Sequence, residues 1–384
     1  MCGDKAISGY KQLRRSYGFD EVAIVPGDVT VNPDQTSTDF QIGDISFSIP
    51  IVTSAMDGVV DVDFAVLMAK LGGMAVINMD GVQARYDNPA EILAEIAATP
   101  DNEVTALMQK IYTEPIKENL VGDRVGAIKQ AGVTCAISLI PANTKRLAPV
   151  AAEAGCDILV IQSTVTSARH ISKSYRGLIF SELREQIKMP IVVGNCVSYS
   201  ACLELMQTGI SGILVGVGPG AACTSREVLG IGVPQITATI DCAAARDEYY
   251  RESGRYVPII TDGGFHKGGD ICKAIVAGAD AVMLGSILAQ AKEAPGGGYH
   301  WGMSHPHPAL PRGTRIKVGT TGTLEKILFG PTSSTHGNQN LVGALRTAMG
   351  FCGAATIKEM HQAEMVIAPA ITTEGKSWQM LQGV

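Results

Sequence analysis

The sequence contains no run approaching the roughly 18 consecutive apolar residues that a membrane-spanning helix needs. Its first twenty residues, MCGDKAISGYKQLRRSYGFD, lack the apolar core of a secretory signal. No Lys/Arg-rich run occurs, and the net charge is −6 with a pI near 5.7. A nucleic-acid footprint built on phosphate neutralisation is therefore not expected. Cysteine pairs with CxxC spacing are also missing. The nine cysteines, at positions 2, 135, 156, 196, 202, 223, 242, 272 and 352, are odd in number, and several sit inside apolar runs as ordinary buried thiols do. These absences predict a reduced, cytoplasmic protein with neither a nucleic-acid nor a membrane partner. Anionic small molecules stay compatible with the acidic charge, because backbone N–H groups bind phosphate without net positive charge.

What the 384 residues do contain is a rhythm. Short Val/Ile/Leu-rich runs alternate with amphipathic helical patterns from about residue 50 to residue 290. Strands are predicted at IPIVTSAM, GMAVIN, VTCAISLI, DILVIQS, PIVVGN, GILVGVG, VPIITDG and DAVMLGS. Each is nearly apolar on both faces, as buried parallel strands are. Helical stretches such as NTKRLAPVAAEAG, SYSACLELMQTG and GGDICKAIVAGA lie between them; the first two open on Asn or Ser as N-caps, and all end at or beside Gly. Eight such alternations predict an α/β fold, a (β/α)8 TIM barrel forming one domain over residues 1–384, rather than an open doubly wound sheet. Two segments interrupt the rhythm. Residues 101–131 read as charged helix between the second and third strands. Residues 290–330, in a Gly-, Pro-, His- and Thr-rich stretch reaching about 340, read as an active-site loop.

The chemistry of such barrels lies at the C-terminal strand ends. These carry Ser54 and Met56, Asn78, Ser138, Gln162 and Ser163, Asn195, Gly218, Asp262, then Gly285 and Ser286. A rim so rich in small and polar residues suits a nucleotide or sugar phosphate. The segment GVGPGAACTSR places Gly216, Gly218 and Gly220 ahead of Cys223. A thiol on a Gly-rich strand-end loop is a candidate nucleophile. Spacing alone is equally compatible with one more small buried thiol. In ITDGGF, Asp262 has the chemistry to hold ribose hydroxyls, with Gly263 and Gly264 beside it for a phosphate; capping of the next helix is the alternative. LGS, ending in Gly285 and Ser286, repeats the small-residue signature one strand later. His300, His305 and His307 lack the nearby carboxylates and cysteines of a tight metal site, and read as loop.

With these motifs in order, the chain resembles the IMP dehydrogenase/GMP reductase family from about residue 17 to 370. PIVTSAMD is similar to that family's first strand end, GVGPGAACTSR to its catalytic cysteine loop, ITDGGF to its ribose strand and MLGS to its phosphate strand. The resemblance implies oxidation of IMP to XMP with NAD through a covalent thioimidate on Cys223. It implies that Asp262 holds the ribose, that Gly263, Gly264, Gly285 and Ser286 hold the 5′-phosphate, and that Ser54, Met56, Gly220 and Gly313 line the nucleotide. Gln162, where the family carries an Asp on the nicotinamide ribose, falls on the cofactor side with Ser163, Asn195, Gly216 and Gly218. Ser225 stands in place of a Thr in the proton relay, and Ala221 in place of a phosphate-binding Ser. The flap is cut to RIKVGTTGTLEKIL. Arg315 and the Ser225 hydroxyl are its implied water activators, and Thr321 falls near the place of the reductase's catalytic Glu.

Residues 101–131 are too short for the paired regulatory CBS modules inserted at that point in full-length dehydrogenases. Backbone carbonyls of Gly218, Gly220 and Cys223 match the family's potassium site, with TTEGK (372–376) as the neighbouring subunit's contribution. The implied assembly is a tetramer or octamer. Two other functions are compatible with the same motifs: reduction of GMP to IMP with NADPH, and non-catalytic purine-nucleotide binding. Retention of both Cys223 and Ser225 argues against the last.

Overall fold

A computed structural model describes residues 13–171, 177–302 and 314–368. Eight parallel strands close into a barrel. They are β1 (Ile51–Thr53), β2 (Met74–Asn78), β3 (Ala136–Leu139), β4 (Ile158–Gln162), β5 (Ile191–Cys196), β6 (Gly212–Val215), β7 (Ile259–Asp262) and β8 (Ala281–Leu284). Each coincides with one of the eight apolar runs. Closure is made by β8 on β1, where Val282 pairs with Ile51 and Leu284 with Thr53.

The two-residue alternation of a strand divides the apolar side chains into two cores. Val52, Val76, Val160, Val192, Leu214, Ile260 and Met283 point inward and pack together. Ile51, Ile77, Ile137, Leu159, Ile161, Ile213 and Ile259 belong to the outer core, under the helices. An antiparallel hairpin, Phe40–Ile42 with Ile45–Phe47, adds Phe40, Ile42 and Phe47 to the inner core. Its rings stack at 4.9 Å.

The helices are α1 (Val62–Lys70), α2 (Pro89–Ala98), α3 (Asp101–Ile111), α4 (Glu118–Gln130), α5 (Pro141–Glu153), α6 (Phe180–Gln186) and α7 (Tyr199–Gln207). They continue as α8 (Ser225–Leu229), α9 (Gln235–Ser253), α10 (Gly268–Val276), α11 (Leu324–Phe329), α12 (Leu341–Phe351) and α13 (Ile357–Met360). Ser198 caps α7 as expected, its side chain accepting from the Ala201 N–H. The start of α5 differs from expectation. It begins three residues early at Pro141, a favoured first helical residue, and Asn143 instead donates to Asp80.

Residues 101–131 form α3 and α4, helices as predicted. Together with α2, α3 makes a small third core of Val82, Leu93, Ile96, Val104, Met108, Ile111 and Tyr112, into which Trp301 inserts. The described residues of the 290–330 segment include regular elements. Tyr299–His300 pairs with Ile316–Lys317, and α11 follows. Gly313, His305, His307 and the TTEGK segment lie outside the described residues.

Candidate active site

A cavity of about 960 Å³ opens at the C-terminal ends of the strands. It is large enough for a nucleotide. Its lining brings together fifteen of the sequence-predicted residues: Ser54, Met56, Gln162, Ser163, Asn195, Gly216, Gly218, Gly220, Cys223, Ser225, Asp262, Gly263, Gly264, Gly285 and Ser286.

Cys223 stands at the end of the loop that follows β6, partly buried, with Sγ 3.3 Å from Ser225 Oγ. The loop is held from behind. Arg226 donates to the carbonyls of Val217 (3.3 Å) and Val233 (2.9 Å). Gln235 Nε2, at the first residue of α9, donates to Val215 O and to Asp262 O, tying the ends of β6 and β7 together. Gly216 packs into that junction with φ +149°, where a Cβ would lie 2.4 Å from Asp262 O. Only glycine fits there. On the other side of the barrel seam Gly285 packs closely on the cavity wall: a Cβ there would come within 2.9 Å of Met56 Sδ and would push that side chain aside.

Asp262 does not cap a helix. Its Oδ2 accepts from Asn195 Nδ2 at 2.8 Å and Gln162 Nε2 at 3.0 Å, and Gln162 Nε2 also donates to Asn195 Oδ1 at 3.1 Å. Burial pushes the Asp262 carboxyl up to about 6, against the lowering effect of the two amides. A bulge makes this cluster possible. The register of β5 on β6 shifts between Gly194 and Cys196, which leaves Asn195 unpaired. Strict alternation would turn Asn195 outward; the extra residue re-aims it into the cavity. Gln162 and Asn195, expected on the cofactor side, thus each donate to Asp262, and Gln162 donates to Asn195 as well. Gln162 Oε1 stays buried without a protein partner.

Two predicted catalytic residues do not join the cavity. The Arg315 guanidinium is spent on the carbonyls of Ile96, Ala97 and Thr99 at the end of α2 and on Asp101, and it stacks 4.4 Å above the Tyr299 ring. It closes a helix end rather than facing substrate. Thr321 is exposed and held through its backbone, its N–H donating to Gln290 O at 3.0 Å and its carbonyl accepting from Gln339. Both assignments rested on aligning a shortened flap, where no strand period anchors position.

The structure adds Lys145, Thr166, His266 and His300 to the lining. His300 was visible in the sequence only as one of three loop histidines. In the fold it is buried, with Nε2 3.0 Å from Ser286 Oγ.

For a dinucleotide, Ser163, Thr164 and Thr166 on the loop after β4 and the unpaired Gln162 Oε1 offer polar partners beside the site. Gly220 and Cys223 are the ends of one turn, closed by Cys223 N–H on Gly220 O at 2.9 Å; that bond leaves the Gly220 carbonyl one lone pair for a cation. Among the described residues the sole cluster with metal-ligating side chains is Cys196, Cys202 and Cys242, whose sulfurs lie within 4.8 Å of one another. All three belong to the outer core between β5, α7 and α9, outside the cavity lining.

The IMP dehydrogenase / GMP reductase domain family matches residues 16–304. An uncharacterized oxidoreductase of Mycolicibacterium smegmatis is 38% identical over 366 residues, covering 93% of this chain and 98% of the relative. The inosine-5'-monophosphate dehydrogenase of Cryptosporidium parvum is 30% identical over 403 residues, covering 96% of this chain and 95% of the relative. Among solved structures, an IMP dehydrogenase/GMP reductase-like protein from Corynebacterium glutamicum superposes with a TM-score of 0.89 at 33% identity, covering 94% of this chain and 96% of that one. A closed barrel with the cysteine loop, the carboxylate and the glycine cradle at its strand ends, matched along nearly the whole chain, makes this protein an oxidoreductase of the IMP dehydrogenase/GMP reductase family.

Proposed function

We propose that the enzyme oxidises IMP to XMP with NAD. The observation that carries this reading is the meeting, in one cavity, of the Cys223 thiol with Ser225 beside it, the Asp262 carboxylate, and the Gly263, Gly264, Gly285 and Ser286 cradle. Asp262 would accept the ribose hydroxyls, and the cradle would receive the 5′-phosphate. The purine then lies toward the cysteine loop. The Cys223 thiolate adds to C2 of the base, hydride leaves C2, and a thioimidate results. Water then adds to C2, the thiolate departs, and a proton is released with XMP. When bound, the nicotinamide ring supplies the hydride acceptor; Ser163 and Gln162 are the chain's candidates for holding it. Ser225, 3.3 Å from the sulfur, is near enough to pass a proton at the thiol.

The reductive reaction on GMP must protonate departing ammonia, which calls for an acid near C2. Among the described lining residues Asp262 is the one carboxyl group, and the ribose claims it. Glu325 is exposed on α11, outside the lining. This favours oxidation of IMP.

The test follows nicotinamide absorbance with IMP plus NAD and, separately, with GMP plus NADPH. Reduction of NAD with IMP, lost in Cys223→Ala while IMP still binds, is the expected result. Ammonia released from GMP with NADPH, with no XMP from IMP and NAD, would overturn the direction. Full turnover by Cys223→Ala would overturn the covalent mechanism.

A further inference from the structure

The cradle that would receive a phosphate group has an unusual charge balance. Among the described lining residues, Lys145 is the one ammonium and there is no guanidinium. Lys145 sits on α5, after β3, across the barrel from β7 and β8. Neutral donors must therefore do the work at the β7–β8 end, and a hydroxyl donates only if its hydrogen is free to point at the anion.

His300 settles where that hydrogen goes. Its Nε2 lies 3.0 Å from Ser286 Oγ, and its Nδ1 is buried with no hydrogen-bond partner. The ring is 1% exposed, and burial pushes it down to about 4, so it is neutral at physiological pH with one proton to place. On Nδ1 that proton would be a buried N–H with no acceptor, which carries the full desolvation cost of an unsatisfied donor. On Nε2 it is donated to Ser286 Oγ, leaving only an unpaired lone pair behind. Ser286 then accepts from His300, and its own hydrogen is released toward the cavity.

We propose that His300 is a positioning residue that fixes the Ser286 hydroxyl as a hydrogen-bond donor to the phosphate of a nucleoside monophosphate. This rests on the nucleotide reading of the same cavity and names a residue that the motifs of the cysteine loop, ribose strand and phosphate strand do not include.

The experiment is a titration of the full chain with IMP and with inosine, in wild type, His300→Phe, His300→Gln, Ser286→Ala and the Ser286→Ala/His300→Phe double variant. Loss of one oriented donor raises the IMP dissociation constant about tenfold in His300→Phe. Inosine binding stays unchanged, and His300→Gln, which keeps a donor near the Nε2 position, recovers IMP affinity. In the Ser286→Ala background His300→Phe has no further effect. Equal weakening of IMP and inosine, or additive losses in the double variant, would overturn the proposal in favour of a packing role. Nitrogen NMR of the ring in the free protein decides it independently: an Nε2-protonated tautomer is expected, and an Nδ1-protonated one sinks it. A wild type that binds neither ligand would refute the nucleotide reading, and the ring spectrum would still judge His300.

Discussion

Asp262 pays for its function in stability. Its native pKa of about 6 lies above the ordinary carboxylate value of 3.8, so the folded state holds its proton more tightly than the unfolded chain does. Stability from this group is therefore lost as pH rises through about 4 to above 6. Asp262→Asn removes the buried charge and can still present an oxygen to Gln162 and Asn195. We expect the variant to be more stable than wild type by about 3 kcal/mol at pH 8, since each pH unit separating the native and unfolded midpoints is worth about 1.4 kcal/mol. The difference should vanish near pH 4. Urea denaturation at the two pH values measures it. The same substitution should weaken IMP binding at least tenfold, because the ribose loses its charged acceptor. Equal stability of the two proteins at pH 8 would contradict the burial of this charge.

At the scale of elements, α2 and α3 are coupled to the cavity through one buried chain. Trp301 Nε1 donates to Tyr112 Oη at 2.6 Å, and Tyr112 donates to Asp57 Oδ2 at 2.6 Å. Asp57 follows Met56 of the cavity wall, and Trp301 follows His300. Burial pushes the Asp57 carboxyl up to about 6, while Tyr112 and the Val82 N–H pull against that. Tyr112→Phe strips a donor from the buried carboxylate and an acceptor from the indole. The cost should be about 3 kcal/mol at pH 8. It should shrink at pH 5, where Asp57 carries its own proton. A loss that does not change with pH would show that Asp57 is not the partner that matters.

Arg315 acts on the same helices. Arg315→Ala leaves three carbonyls at the end of α2 without their donor and should cost about 2 kcal/mol. The rate of Cys223 alkylation by iodoacetamide should not change. A selective loss of turnover with unaltered stability would return Arg315 to the chemistry.

The whole molecule separates stability from function along the barrel axis. Its inner core is filled by Val52, Val160, Leu214 and Met283 and plugged by Phe40 and Phe47. The predicted substrate contacts among the described residues lie at the opposite, C-terminal ends of the strands. Phe40 is 5% exposed, so Phe40→Ala should cost about 3–4 kcal/mol through lost burial and a residual cavity. The IMP dissociation constant should stay at its wild-type value. A large change in affinity would mean that the plug and the site are not independent. In the outer core Cys242, fully buried, should tolerate Ala at about 1 kcal/mol and Cys→Ser less well, since the hydroxyl would need a partner there.

The eight strands were legible in the sequence because parallel strands buried on both faces must be short apolar runs, and all eight runs became barrel strands. The site was legible for a related reason. Polar and glycine residues at the ends of such runs and on the loops after them gather at one end of the barrel, and fifteen of those predicted line the cavity, while Asn78 and Ser138 are buried outside its lining. What the linear pattern could not carry was decided by contacts distant in sequence. Asn195 turns inward where β5 bulges against β6, and Gln162 donates to Asp262, one hundred residues away, while its Oε1 keeps no protein partner. Arg315 reads as a flap residue until α2 folds within its reach, and Thr321 until its loop is fastened to Gln290 and Gln339. His300 reads as a loop histidine until Ser286 stands beside it. Periodicity records which way a side chain faces within its own element, and the partner it meets there is set by how elements far apart in the chain pack together.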